Sequence, residues 1–492
     1  MKSLIIRPYA SYIASQVRRE RDNVHKDQAR IFNQLIQAGR KTKFGKDHNF
    51  SSITTEDDFK RCVPINDYEG LKKYFDQQVS GESDVLWPGR PKYYAKTSGT
   101  TSGVKYIPIT SASMPNHIGT ARKALMTYAS QGKNSKIFDG KVMFLSGSPT
   151  LTDTAGVATG RLSGIVNHEI PSWIKGNQLP SYQTNCMEDW EAKVDKVVEE
   201  TRSEDLRLIS GIPPWVQMYF ERMLAATGKN KIIDIFPNLS VFMYGGVNYE
   251  PYRETIEGLI GKSIDSVELY PASEGFLAYQ DTLENQGLLL NTNSGIYFEF
   301  VALEDFSKSD AQRVGLRDVQ LEKDYVIILS SNAGLWAYNL GDTIRFVSLD
   351  PYRLVVSGRV KHFISAFGEH VIGKEVEQAM IGACAKYSAA VREYTVAPQV
   401  TPTDSDQPYH EWFVEWEQQP DDLNKFSGEL DHQLRKQNAY YDDLIAGNIL
   451  QRLVIRSLSP DTFRNYMKSQ GKLGGQNKVP RLSNDRKIVE QL

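Results

Sequence analysis

Ser266-Val-Glu-Leu-Tyr270 runs directly into Pro271-Ala-Ser-Glu274-Gly275. The Val, Leu and Tyr of the first five residues have strand character, and the Pro and Gly that follow punctuate it. Just upstream, residues 250–259 have helical periodicity, so a helix leads into a strand that ends on an acid. Working outward, Lys141-Val-Met-Phe-Leu145, Leu239-Ser-Val-Phe-Met-Tyr244, Tyr297-Phe-Glu-Phe-Val301 and Tyr325-Val-Ile-Ile-Leu329 read as further strands. Residues 111–129, with Thr110 or Ser111 as N-cap, and residues 213–226 read as helices. Alternation of this kind over residues 92–356 predicts an α/β core with mixed sheets. Open α/β sheets bind ligands beyond the carboxyl ends of their strands, which is where Ser273 and Glu274 fall.

Near Ser357-Gly358-Arg359 the pattern becomes that of a small α+β unit. A helix is expected over 374–385, a strand over 391–396, a polar hairpin loop over 398–408, a return strand over 410–417 and a helix over 421–438. The expected domains are residues 1–357 and 358–492. At the other end, Ile13, Val17, Val24, Ile31, Leu35 and Ile36 recur at roughly helical spacing, predicting one long amphipathic surface helix over 10–38.

The 492 residues allow two to four domains at about 100–200 residues each. With 58 basic against 60 acidic residues and no long block of either sign, a nucleic-acid-binding arm is not expected. Cys62, Cys186 and Cys384 lie too far apart for a disulfide framework or a metal knuckle, which suits a reducing compartment. No apolar run approaches the ~20 residues of a membrane span, and the apolar stretch after Met1 is too short for a signal peptide. The expectation is a cytoplasmic protein with no membrane or nucleic-acid partner, and a monomer, because no long apolar seam stands out.

Five segments carry candidate chemistry. Thr97-Ser-Gly-Thr-Thr101-Ser-Gly-Val-Lys105-Tyr-Ile-Pro108 places five hydroxyl side chains and two glycines between strands, a loop able to wrap a phosphate chain. It lacks the Walker A spacing, and alone it fits a surface turn equally well. Glu274, beside Ser273 and Tyr270, could hold Mg²⁺ while the ring faces a base; a polar strand-end turn is the plainer alternative. In Tyr338-Asn-Leu-Gly341-Asp342-Thr343, read as a turn before a strand, an ionised Asp can accept from both hydroxyls of a ribose, although Gly-Asp is common in ordinary turns. Arg359 at the boundary could pair with phosphate or ribose, or belong to a plain linker. Gly471-Lys-Leu-Gly-Gly475-Gln-Asn-Lys478-Val-Pro-Arg481 offers a cation on a Gly-rich loop that could meet a phosphoryl group, or a basic tail.

Taken in this order, the segments resemble the Gretchen Hagen (auxin-responsive) acyl-acid amido synthetases, in particular their bacterial homologues, within the adenylate-forming superfamily of acyl-CoA ligases and luciferases. The resemblance also takes in Thr42-Lys-Phe-Gly-Lys-Asp-His48, Val63-Pro-Ile-Asn-Asp-Tyr68, Gly81-Glu82 and Leu86-Trp87, and covers most of the chain. It implies a large adenylate-forming domain followed by a smaller mobile one. It also implies ATP phosphates on Thr97, Ser98, Gly99, Thr100 and Thr101, and Mg²⁺ on Glu274. Tyr270 and Ser273 would line the adenine or α-phosphate, and Asp342 with Tyr338 would take the ribose. Arg359 would be the hinge arginine and Lys478 the lysine that attends adenylation. The wider superfamily commonly has two residues between the second loop glycine and its lysine, whereas here only Val104 intervenes, so no role passes to Lys105.

The reaction implied uses MgATP to convert a carboxylic acid into an acyl-adenylate, which an amino acid's amine then attacks. The motifs alone do not select ATP over GTP. A thiol acceptor, as in acyl-CoA ligases, and a non-catalytic nucleotide-binding homologue are the alternatives.

Overall fold

The computed structural model describes residues 2–492 except 99–103, 133, 171–174, 188, 247–248, 285–286, 309, 361–362, 365, 367–368, 370, 401, 403–406, 447–449, 474–477 and 484. Two compact units result: Met1–Val247 with Glu257–Val356, and Asn248–Ile256 with Ser357–Leu492.

The strands of the first unit are β1 (Tyr93–Ser98), β2 (Val104–Ile109), β3 (Lys141–Phe144), β4 (Thr152–Thr154), β5 (Val157–Gly160), β6 (Gln178–Leu179) and β7 (Leu206–Ser210). They continue with β8 (Val241–Gly245), β9 (Asp265–Ala272), β10 (Gly275–Tyr279), β11 (Leu288–Leu290), β12 (Ile296–Ala302), β13 (Asp324–Ser331), β14 (Tyr338–Leu349) and β15 (Tyr352–Arg359), the last of which runs on into the second unit. A four-stranded sheet has the order β2-β1-β5-β4, and an eleven-stranded sheet the order β12-β13-β14-β15-β11-β10-β9-β8-β7-β3-β6. From β6 through β3, β7 and β8 to β9 the large sheet is parallel, and at β9/β10 it turns antiparallel. The apolar faces of the Lys2–Asp22 and Met114–Ser130 helices, through Ile13, Val17, Ala124 and Tyr128, pack with Val142, Leu208, Val241 and Val267 of the parallel strands.

The second unit holds β16 (Phe363–Ile364), β17 (Val371–Ile372), β18 (Ala390–Gln399), β19 (Tyr409–Gln418) and β20 (Val454–Leu458). The expected hairpin is present as antiparallel β18/β19, and β20 adds parallel to β19. Helices Gly373–Tyr387 and Leu423–Gln437 cover it, burying Val376, Met380, Phe426 and Leu430 against Val396 and Trp412. Among the described residues, no helix is long and apolar enough to cross a membrane.

Three local expectations are corrected. The long helix over 10–38 is two helices, Lys2–Asp22 and Val24–Gly39. The break is at Asn23, whose side-chain amide donates to the Arg19 carbonyl at 2.8 Å and so competes with the backbone ladder. The helix expected from 111 starts at Met114 with Ser113 before it, because Thr110 and Ser113 close a turn on each other: each backbone N–H donates to the other's hydroxyl, at 2.9 and 3.0 Å. The Tyr338–Thr343 segment lies inside β14 and is not a turn ahead of it.

Strand β12 is buried along its whole length and carries Glu299, with Arg313 at 3.4 Å. Burial pushes the Glu299 carboxyl up from 4.5 to about 6, against the pull of the Arg313 and Lys60 cations. The stability this group contributes is therefore full below about pH 4.5 and is lost as pH rises through 6. Compared with Glu299→Gln, which does not titrate, the parent should lose about 2 kcal/mol between pH 4 and pH 7. Urea melts of both proteins across that range test this; parallel profiles would show that folding leaves the Glu299 pKa unchanged.

Candidate functional site

Where the parallel part of the large sheet meets the antiparallel part, β9 and β10 join through the two-residue turn Ser273-Glu274, with Ala272 paired to Gly275. This turn projects Glu274, half-buried, past the last parallel strand. Asn116, on the core side of the Met114–Ser130 helix, clamps the start of β10: its side-chain oxygen accepts from the Phe276 N–H at 2.7 Å and its amide donates to the Phe276 carbonyl at 3.2 Å. A Cβ at Gly275 would come within 2.6 Å of the tip of the Ile296 side chain, which would have to shift to admit it.

The second acid arrives on β14. Val326 pairs with Thr343 but Ile328 with Asn339, so β14 contains two more residues than β13 across this interval and bulges at Leu340-Gly341-Asp342. Gly341 sits at φ +86°, a left-handed conformation that suits glycine. The bulge delivers Asp342, buried, to Tyr270, whose hydroxyl donates to Asp342 Oδ2 at 2.6 Å. Reciprocally, the Tyr338 hydroxyl faces Glu274 Oε1 at 3.5 Å. Each motif's tyrosine thus reaches the other motif's carboxylate. Burial, reinforced by the Glu274 charge, holds the Tyr338 phenol well above its ordinary range, so it stays a donor.

Two segments from early in the chain complete the surroundings. Asn66 bridges β14: its N–H donates to the Ala337 carbonyl at 2.9 Å and its carbonyl accepts from the Asn339 N–H at 2.7 Å. Tyr68 accepts the Tyr106 N–H through its hydroxyl at 3.0 Å, and the Lys105 ammonium lies 5.5 Å from the Tyr68 ring centre. Lys105 therefore has a place against an aromatic face. Thr97, half-buried, pairs with Lys105 across β1/β2, so the strands bring the two ends of the hydroxyl-rich segment together. Gly99, Thr100 and Thr101 lie outside the described residues, and Ser98 and Arg359 are described in their backbone alone, at the ends of β1 and β15.

Lys478 is exposed and belongs to the second unit. The chain just beyond it is pinned to β18: the Pro480 carbonyl accepts from the Thr395 hydroxyl at 2.7 Å, and the Arg481 carbonyl from the Val396 N–H at 3.0 Å. Leu482 is fully buried in that unit's core. Residues 474–477, ahead of the lysine, lie outside the described residues.

Chemically, the first unit offers a buried carboxylate, Asp342, that accepts from Tyr270, and a half-buried one, Glu274, that faces Tyr338. Among the described residues no three His, Cys, Asp or Glu side chains cluster to hold a metal. A lone carboxylate suits Mg²⁺, which takes one or two protein carboxylates and completes its shell with phosphate and water oxygens. The reading from sequence identified the two acids and their tyrosines but missed Asn116, whose signal was a polar residue among the buried positions of a helix.

Comparison with known proteins gives a consistent picture. Residues 13–175 match the GH3 family N-terminal domain, 289–359 the GH3 family central domain and 374–487 the GH3 family C-terminal domain. A jasmonoyl-L-amino acid synthetase of Nicotiana attenuata, JAR4, is 22% identical over 386 residues, which span 65% of this chain and 66% of that protein, just under two thirds of the relative's length. The fold is similar to that of the GH3.15 acyl acid amido synthetase, with a TM-score of 0.80 at 15% identity over 97% of this chain and 95% of that one. It is also similar to that of a 2-hydroxyisobutyryl-CoA ligase crystallised in its postadenylation state, with a TM-score of 0.61 at 12% identity over 95% and 91%. With its N-terminal, central and C-terminal domains matched in order, the chain belongs to the GH3 family.

Proposed function

We propose that this protein is an ATP-dependent acyl-acid amido synthetase, a ligase that adenylates a carboxylic acid and passes the acyl group to the amine of an amino acid. The observation that carries the reading is the crossed pairing of Tyr270 with Asp342 and Tyr338 with Glu274. It brings the two acids into one site at the edge of the sheet. The family's named relatives and the fold's likeness to adenylate-forming ligases support the same reading.

A carboxylate is a poor acylating agent because oxide would have to leave; in an acyl-adenylate the leaving group is the weakly basic AMP. In the first step an oxygen of the acid attacks the α-phosphorus and the bond to pyrophosphate breaks. Asp342 accepts from the ribose hydroxyls, held in place by Tyr270, and Tyr338 packs beside it. Thr97, Ser98, Gly99, Thr100 and Thr101 hold the departing phosphates, Tyr270 and Ser273 line the nucleotide, and Arg359 pairs with it from the start of the second domain. Fixed in this way, nucleophile and phosphorus meet in line. Mg²⁺ held by Glu274 would supply positive charge to the phosphate oxygens. Lys478 supplies a second cation where negative charge grows. In the second step the amine attacks the acyl carbon, AMP leaves and the amine gives up a proton, with residues 358–492 turning between the steps. The protein acts as a monomer in the cytoplasm.

Pyrophosphate release from MgATP, measured across a panel of acids with and without amino acids and with coenzyme A as a separate arm, tests the reading. Acid-dependent release stimulated by an amino acid, with an amide product, is expected. Stimulation by coenzyme A alone would make the protein a thioester-forming ligase. ATP binding with no release in any arm would make it a non-catalytic homologue.

A further inference from the structure

The Lys2–Asp22 helix has two apolar faces, and the fold covers one of them. Ala10, Ile13 and Val17 lie in the core with Ala124, Tyr128 and Val142, and Ile6 packs against them. Ile5, Tyr9 and Tyr12, at i, i+4 and i+7, form a second stripe, with Leu4 beside Ile5. Ile5 is 79% exposed, Leu4 74%, Tyr12 57% and Tyr9 38%. These are four of the ten exposed large apolar side chains among the described residues, gathered within about 12 Å of helix axis. Apolar side chains exposed singly are ordinary; a contiguous stripe of them marks a surface that meets something.

The stripe is set among cations. Lys2, Arg7, Arg18 and Arg19 are exposed on the same helix, and the three arginine side chains make no hydrogen bond or ion pair among the described residues. The neighbouring acids are engaged: Glu20 pairs with Lys123 at 2.6 Å, and Asp139, from the 134–139 turn, accepts the Ser3 N–H at 3.1 Å and the Ser3 hydroxyl at 2.7 Å. Asp22, at the far end, is the exposed acid of the helix.

Charge selects the occupant. A second copy of this chain, docked through an isologous contact, would lay these cations against themselves. A protein groove would have to be shaped to a convex ridge, whereas a fluid lipid interface conforms to the ridge and supplies anionic headgroups to the arginines. The order of residues along the stripe also suits lipid. Leu4 and Ile5 offer hydrocarbon at one end; at the other, Tyr9 and Tyr12 carry rings tipped by hydroxyls, that of Tyr12 accepting from the Gln16 amide at 2.7 Å, as befits a headgroup boundary. We propose that the Lys2–Asp22 helix docks the protein reversibly on an anionic lipid surface, lying in the plane of the interface with Leu4 and Ile5 inserted. The expectation of no membrane partner rested on the lack of a spanning segment, which a helix lying in the interface does not need.

Co-sedimentation of the full chain with vesicles tests this, phosphatidylcholine alone being compared with phosphatidylcholine mixed with phosphatidylglycerol. Binding to the anionic vesicles only, weakening as salt rises, is expected. Ile5→Asn should weaken partitioning by about tenfold, and each of Arg7→Gln, Arg18→Gln and Arg19→Gln by about fivefold. All four positions are exposed, so the variants' Tm should stay near the parent's. Tyr12→Trp gives a second readout: its emission should shift to the blue with anionic vesicles and stay unmoved with neutral ones. No binding to anionic vesicles would overturn the proposal, as would binding that Ile5→Asn leaves unchanged. A dimer in sedimentation equilibrium that Ile5→Asn dissociates, without lipid binding, would assign the face to a second copy instead. Neither nucleotide nor acid is needed, so failure of the amido-synthetase reading would leave the outcome untouched.

Discussion

Glu274→Gln should lower acid-dependent pyrophosphate release by about 10²- to 10³-fold, the usual loss when one preorganised electrostatic contact to a developing charge is removed. The expectation follows from the position of Glu274 on a tight β9/β10 turn, where Asn116 fixes the strand behind it. Glutamine preserves shape and an acceptor for the Tyr338 hydroxyl but removes the charge a Mg²⁺ ion would bind. Folding stability should change by about 0.5 kcal/mol or less, as is usual for a side chain that is not in the core. Titrating Mg²⁺ separates the two effects: the variant should need a much higher concentration for half-maximal rate, while its Tm without nucleotide stays near the parent's. Equal rates in variant and parent would remove Glu274 from the mechanism.

Lys478→Ala should slow adenylation by about 10³-fold, a loss in the range seen when a cation acting on a transferring phosphoryl group is removed. Attack of an amine on a supplied acyl-adenylate should continue at nearly the parent rate. The separation is expected because Pro480, Arg481 and Leu482 hold the chain beside the lysine, which is itself exposed. Truncating Lys478 therefore leaves the anchor and its buried leucine in place. Single-turnover measurements of each half-reaction decide the matter: a defect confined to the second step would assign the lysine to amine transfer instead.

Elements with strong periodicity were legible in the sequence, because burial on one face is written into residue type. The β18/β19 hairpin, the helices Pro213–Thr227 and Glu250–Ile260 and the parallel strands β3, β8 and β9 fell close to expectation, whereas β6 and β7 were not foreseen. What failed was local. Asn23 ends a helix through one side-chain hydrogen bond, and an Asn within a periodic run does not announce that it will turn onto the backbone. Tyr338–Thr343 looked like a turn because Gly-Asp is turn chemistry; the same left-handed glycine also makes a bulge, and only the pairing partner distinguishes the two. In the candidate site, the residue types of Tyr270, Glu274, Tyr338 and Asp342 were readable one motif at a time. Their exchange of partners was not, because a contact between positions separated by 64 or 72 residues depends on strand order, which no local pattern encodes. Asn66 and Tyr68 stood out by resemblance alone, and the reason emerges only when Asn66 is seen bridging β14 and Tyr68 receiving the Tyr106 N–H.

The β14 bulge has a bearing on how such a site can be gained or lost. Because side chains alternate with a period of two, the two residues inserted here leave the parity of the strand intact. Ile344 and Phe346 therefore remain in the core just as they would in an uninterrupted strand. Asp342, the acid proposed to hold the ribose, is in this sense modular, a detour that the rest of the sheet does not register. Excising Leu340 and Gly341 together should restore a regular ladder and a folded protein that no longer binds nucleotide, which thermal melts with and without MgATP would check.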